Sequence, residues 1–202
     1  MAEKAGTVQL PRLDVQTMRV RIVGDSPLIS HAWSEKAKRA MLGKQMKQAK
    51  GAKEAKDPFR DYVESLYWIS DLPSDPTPET VAAGRFGFPT VAFKAAAIGA
   101  CRFVEGIKMT EARGAFHIIG DLAEIKGAPE MREDMVRVGM GTADIRYRGE
   151  FREWETELQV RFNAGAFSAD QIVNLLNVAG FAQGVGEWRP ERGGSFGMFH
   201  VG

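Results

Sequence analysis

The stretch from residue 154 to 162 constrains the fold more than any other. Trp154, Thr156, Leu158, Val160 and Phe162 alternate with Glu155, Glu157, Gln159 and Arg161. A period of two is the period of a strand, whose successive side chains point to opposite faces. It is the strongest strand signal in the chain, and residues 145–162 as a whole are rich in strand formers. A shorter alternation runs from Met18 to Val23, with Val20 and Ile22 on one face and Arg19 and Arg21 on the other. Gly24-Asp25-Ser26-Pro27 closes it. A further strand is expected over 115–125, irregular at Gly120, and a short last one over 197–201. Residues 131–141, rich in glycine towards their end, read as a loop or bent hairpin.

Helices separate these strands. Pro89 introduces a central one, in which Phe93, Ala96, Ala97, Ala100 and Phe103 fall at helical spacing on one face. Its alanines predict close packing on a sheet. The last helix is marked by Ser168 with Gln171 three residues on, a capping box, and by the Phe167–Ile172 staple. Ile172, Leu175, Leu176 and Ala179 face inward, and Gly180 is expected to end it. A helix starting at Ser34 runs into lysine-rich sequence, where only alanines, Met41, Leu42 and Met46 offer an apolar face. It is marginal or projects from the body. Residues 57–68 place Phe59, Tyr62, Val63, Leu66 and Tyr67 towards a core, and the three prolines of 72–78 mark a loop.

With the helical segment after the first strand set aside, the order is βαββαβ. The predicted class is therefore α+β, a ferredoxin-like (RRM-like) core with a helical, lysine-rich insertion after the first strand. Residues 1–202 read as one domain, with 31–88 as the insertion. A 202-residue chain with 44% hydrophobic residues buries a core without disulfides or a structural metal. Cys101, the lone cysteine, fits a reducing compartment and reads as a small buried hydrophobe. No signal peptide opens the chain, and its most apolar segment is too short to span a bilayer, so a cytoplasmic protein is expected.

Net charge is only +1, but it is unevenly spread. Residues 36–56 hold eight basic residues (Lys36, Lys38, Arg39, Lys44, Lys47, Lys50, Lys53 and Lys56) and one acid, Glu54, a segment of +7 on a body of −6. Such an arm either wraps a phosphate backbone or is a solvated face. A glycine-rich segment precedes the last strand, with Gly184, Gly186, Gly193, Gly194 and Gly197 around Trp188, Arg189 and Arg192. Glycines let a backbone approach a phosphate chain, arginine pairs with phosphate, and tryptophan stacks on a base. The alternative is a tight turn with Trp188 covering the core. Arg132, Arg137, Arg146 and Arg148 form a third basic cluster. On a strand Arg146 and Arg148 share one face, suited to a phosphate backbone or equally to salt bridges with Glu150 and Glu153.

Signs of catalysis are weaker. His31, His117 and His200 are scattered, without metal-ligand spacing. His117 reads as a structural histidine in an apolar strand. His31 or His200 would suit a general base, but nothing in the sequence pairs either with an acid. Glu153, Glu155 and Glu157 share a solvated strand face. Gly193-Gly194-Ser195-Phe196-Gly197 matches the nucleophile-elbow pattern in letters, yet it leads into a terminal strand, where an elbow joins a strand to a helix.

The glycine groups Gly184-Val185-Gly186 and Gly194-Ser195-Phe196-Gly197, between a helix and a final strand, resemble the glycine-rich loop of the RAMP superfamily. These are the ferredoxin-fold RNA-binding subunits of CRISPR effector complexes. The first strand followed by Ser26-Pro27-Leu28-Ile29 is similar to their backbone subunits, and the chain also resembles phage and prophage proteins. The resemblance implies an RRM-like core, a thumb-like insertion and side-by-side assembly along a strand. The resulting expectation is a non-catalytic, oligomeric protein that binds single-stranded RNA or DNA and needs no cofactor. Its nucleic-acid contacts would be Lys36, Lys38, Arg39, Lys44, Lys47, Lys50, Arg146, Arg148, Gly184, Gly186, Trp188, Arg189, Arg192 and Gly194. The rivals are an assembly subunit whose lysine arm docks on an acidic neighbour, and a metal-independent RNA nuclease using His31 or His200.

Overall fold

The computed structural model describes residues 12–48, 55–138 and 141–202. Strand β1 (Val15–Gly24) is followed by a short β2 (Leu28–Ser30), then helices α1 (Glu35–Gln45) and α2 (Pro58–Glu64). Next come β3 (Tyr67–Trp68), the single-turn α3 (Pro78–Ala82) and β4 (Phe86–Pro89), which runs straight into α4 (Thr90–Ala100). Helix α5 (Met109–Ala115) leads to β5 (Phe116–Ile118) and β6 (Leu122–Lys126). The hairpin β7 (Pro129–Val138) and β8 (Thr142–Phe151) precedes β9 (Glu155–Asn163), α6 (Ala169–Ala182) and β10 (Phe199–Val201).

The ferredoxin-like core is present. Its four strands are β1, the broken pair β5 and β6, β9 and β10, and its two helices are α4 and α6. β1 lies between β10 and β9, and β9 pairs on its other side with β5 and β6, all antiparallel. That places the fourth core strand beside the first, the first beside the third and the third beside the second. β4 and then β3 extend the sheet beyond β6. The alternation that marked β9 is its burial: Thr156, Leu158, Val160 and Phe162 are buried and the residues between them are not. Facing them across the core are Phe93, Ala96, Ala97 and Ala100 of α4 and Ile172, Leu175, Leu176 and Ala179 of α6. Each large apolar side chain removed from water there contributes about 1.5–3 kcal/mol.

Local signals explain most boundaries. Ser168 Oγ accepts from the Gln171 amide while Gln171 Oε1 accepts from the Ser168 amide, so the capping box opens α6. Ser34 and Asp57 cap α1 and α2 by the one-way bond alone, their side-chain oxygens accepting from the Ala37 and Arg60 amides. The irregularity at Gly120 is a break: its φ of +89° lets the chain step from β5 to β6.

The structure alters or narrows four expectations. Gly180 does not end α6, which runs on to Ala182. A Cβ at Gly180 would lie 1.7 Å from the Phe199 carbonyl oxygen, so the glycine is there for the approach of β10 to the helix. Phe103 leaves the inward face because α4 gives way to a 3-10 turn at Cys101–Phe103, and its side chain is 60% exposed. Of the two expectations for 131–141, loop or bent hairpin, the hairpin holds: residues 131–138 belong to β7, one arm of the β7–β8 hairpin. With β2 it forms a separate three-stranded sheet, inserted between the second and third core strands. The strand-rich 145–162 stretch therefore serves two sheets. Its corner is at Trp154, whose indole donates to the Ser26 carbonyl at 2.9 Å.

Candidate nucleic-acid interface

The glycine-rich segment folds back on itself between α6 and β10. Val185 N donates to Gly197 O at 2.9 Å and Phe196 N to Trp188 O at 3.1 Å. The doubled loop then docks on the chain around β2, through Gly197 N to Pro27 O and Glu187 N to Ile29 O. These contacts explain the glycines. A Cβ at Gly197 would stand 1.7 Å from Val185 O, one at Gly194 1.7 Å from Trp188 O, and one at Gly186 2.6 Å from Ile29 O. Gly184, Gly186 and Gly197 also have positive φ. The close approach that glycine permits is here an approach to the protein's own backbone.

The loop holds Trp188 outward. Its ring is 42% exposed and its φ of 54° is one that bulky side chains avoid. It does not cover the core. Arg189 is turned inward to the loop: Nη1 donates to Gly186 O at 2.9 Å and Nη2 to Glu191 Oε2 at 2.6 Å. Arg192 is exposed.

Behind the loop lies a chain of charges that the sequence did not reveal. His31 Nδ1 is 3.1 Å from Glu187 Oε1, and Glu187 Oε2 is 3.8 Å from Arg148. Arg148 pairs with Asp134 at 3.0 Å, Asp134 with Arg132 at 2.9 Å, and Arg132 with Glu150 at 3.0 Å. The Arg132 guanidinium also lies 4.7 Å over the Phe196 ring. The hydrogen bond from His31 holds the Glu187 carboxyl below the usual carboxylate range, against its partial burial and with help from Arg148 and Arg189. This network fastens the glycine loop to the β7–β8 sheet. Arg148, expected to face a phosphate, is buried, with its side chain 4% exposed and its charge committed to Asp134. Arg146 lies on the outer part of β8, 3.7 Å from Asp144.

The lysine arm begins as a capped helix. Ser34 Oγ accepts from the Ala37 amide, Lys38 pairs with Glu35 at 2.6 Å, and no residue of α1 is buried. Lys44 lies in its last turn and Lys47 just beyond, at φ 54°. Lys50 and Lys53 lie outside the described residues. Lys56 closes the arm onto the hairpin through Asp144 at 2.6 Å. A groove of about 610 Å³ runs between the base of the arm and β8, past His31, Trp33, Arg146, Tyr147 and Glu187. Trp33, 59% exposed, was missed in the sequence because a lone indole before a cap residue has no period to place it.

The open face of the main sheet is different. Arg19 pairs with Glu157, Arg21 and Lys126 with Glu155, and Arg85 with Glu124. Glu155 and Glu157, expected to share a solvated face, each have a cation beside them there, Glu157 staying exposed, and among the described residues of this face no Phe, Tyr or Trp ring is offered to a base. His117 is not packed in an apolar strand: it is exposed on this face, 3.0 Å from Lys94. His31 and His200 both have acid partners that the sequence did not show, Glu187 and, at 2.6 Å, Asp25. These pairs join residues more than a hundred positions apart. Among the described residues no group of three or more His, Cys, Asp or Glu side chains is placed to hold a metal ion, and no helix is long and apolar enough to cross a membrane.

No protein-family profile and no curated protein matches the chain. Among solved structures it is similar to the crystal structure of Cmr6 from Pyrococcus furiosus, with a TM-score of 0.46 and 9% identity, over 95% of this chain and 100% of that one. A likeness at that score carries no functional weight, and the fold class rests on the strand order.

Proposed function

We propose that the protein binds single-stranded RNA or DNA and does not cut it. The observation that carries this reading is α1, a helix that buries none of its residues and carries Lys36, Lys38, Arg39 and Lys44. Short helices are marginal without a face to pack. A phosphate chain gives this one a partner matched to its charge. The exposed indoles of Trp33 and Trp188 are stacking platforms for unpaired bases, which a duplex keeps inside its own stack. The strand follows the arm and the edge of the glycine loop, past Arg146 and Arg192, rather than the ion-paired sheet face. Exposed Met135 and Ile145, paired across the β7–β8 hairpin, give neighbouring copies an apolar contact for assembly along the strand. A RAMP-type relationship belongs to the same proposal, supported by the place of the glycine loop between the last core helix and the last core strand.

The test is fluorescence anisotropy with labelled single-stranded RNA, single-stranded DNA and duplex DNA, each at low and high salt. Single-strand binding that weakens steeply with salt is expected. Folded protein, free of co-purified nucleic acid, that binds none of the three would sink the proposal and leave the assembly-subunit reading. One observation favours a second reading, strand cleavage: the His31–Glu187 pair gives a general base its orienting acid. Metal-free cutting of RNA that disappears in His31→Ala would establish it, and intact RNA after prolonged incubation would remove it.

A further inference from the structure

A second groove, of about 550 Å³, separates the glycine loop from α4 and α5. That is room for one small ligand. One wall is cationic. Arg102, just past α4, and Arg113, on α5, both line it and are exposed. Neither has an ion-pair partner among the described residues. The positive strip continues outward, where Lys94 Nζ lies 3.0 Å from His117 Nδ1 and His117 sits across the strands from Arg161. Burial first and then the charge of Arg113 push the Lys94 ammonium below its usual range, as in a cluster of like charges short of an anion.

The floor of the groove is more specific. Gln183, the C-terminal cap residue of α6, is 5% exposed and lines it. Its side chain lies over Gly99: a Cβ there would stand 2.6 Å from Gln183 Oε1. Among the described residues its carboxamide has no hydrogen-bond partner within the protein, so its polar atoms are available to the groove it lines. A carboxamide offers an acceptor beside two donors, the pattern that pairs with the edge of a nucleobase. Tyr67, Ile98 and Met109 complete an apolar wall.

We propose that this groove holds one nucleotide of the bound strand, its phosphate on Arg102 and Arg113 and its base edge read by the Gln183 carboxamide. The inference rests on the single-strand reading above and adds a base preference to it. The glycine loop then has a second role, as the opposite wall of a nucleotide site.

Anisotropy with four labelled homopolymers tests it, using the wild type, Gln183→Leu, Gly99→Ala and the double variant Arg102→Gln/Arg113→Gln. One homopolymer is expected to bind the wild type at least about fivefold more tightly than the others, the low end of what a paired base contact supplies. Gln183→Leu removes that preference without changing the salt slope. Gly99→Ala does the same by displacing the carboxamide, and as a helix-favouring change it does not threaten the fold. The double arginine variant weakens all four homopolymers and lowers the salt slope by about 1.4. Wild-type binding without base preference, or variants that bind as the wild type does, would overturn the groove while leaving strand binding intact. If the wild type binds no strand, calorimetry with the four nucleoside monophosphates decides: binding lost in the arginine variant keeps the groove as a free-nucleotide site, and no heat ends both readings.

Discussion

Lys44 and Lys47 offer the sharpest test of the arm. Neither has an ion-pair partner among the described residues, whereas Lys38 is held by Glu35 at 2.6 Å. An unpaired lysine that meets a phosphate on a single strand releases about 0.7 of a counterion. Lys44→Gln/Lys47→Gln should therefore reduce the slope of log K against log salt by about 1.4. Across a fourfold rise in salt, the variant should lose about sevenfold less affinity than the wild type, by the same relation. Lys38→Gln should move the slope less, because its charge is already answered. Arg148→Met should not move it, because that guanidinium is buried against Asp134. The assay is anisotropy titration of one labelled strand at several salt concentrations. A double variant that binds more weakly but keeps the wild-type slope would refute the reasoning, since the arm would then act through something other than phosphate contact.

Packing and titration give three further outcomes. Gly180→Ala puts a methyl group against the Phe199 carbonyl, so urea unfolding should show a loss of about 1–3 kcal/mol. Gly114→Ala, with nothing within 4 Å of the new Cβ, should be neutral or gain up to about 1 kcal/mol as a helix substitution. The fold depresses the pKa of Glu187, so its ionised form is the stabilising one. That contribution is complete above the ordinary carboxylate value of about 4.3 and drains away as pH falls through the lower folded value. Thermal melts from neutral to acid pH should thus fall less steeply for Glu187→Gln, and parallel acid limbs would remove Glu187 from the loop's anchorage.

Much of the fold was legible because it depends on short-range periodicity. The alternation of residues 154–162, the Ser168–Gln171 box and the spacing from Phe93 to Ala100 are local patterns, each matching the element that formed. They sufficed for the βαββαβ order and the α+β class. The short strands β2, β3 and β4 escaped because two to four residues have no period to display. The β7–β8 hairpin was legible only as one of two alternatives, and its separate sheet not at all, because its ion-paired face, with Arg132, Asp134, Arg148 and Glu150, looks like solvent-facing sequence until the glycine loop packs near it.

The candidate site divides in the same way. Its chemistry was visible one residue at a time, as a lysine run, a glycine-rich loop and a tryptophan between arginines. Which cations remain for a ligand was decided only by tertiary structure, because pairing depends on distances between residues remote in the chain. Arg148 became internal and Arg189 fastened its own loop, while Arg102 and Arg113, unremarkable in the sequence, came to face the groove beside Gln183. Composition and period set where the chain can bend and what it must bury. Only the fold's long-range contacts set which charges are answered within the protein and which face outward.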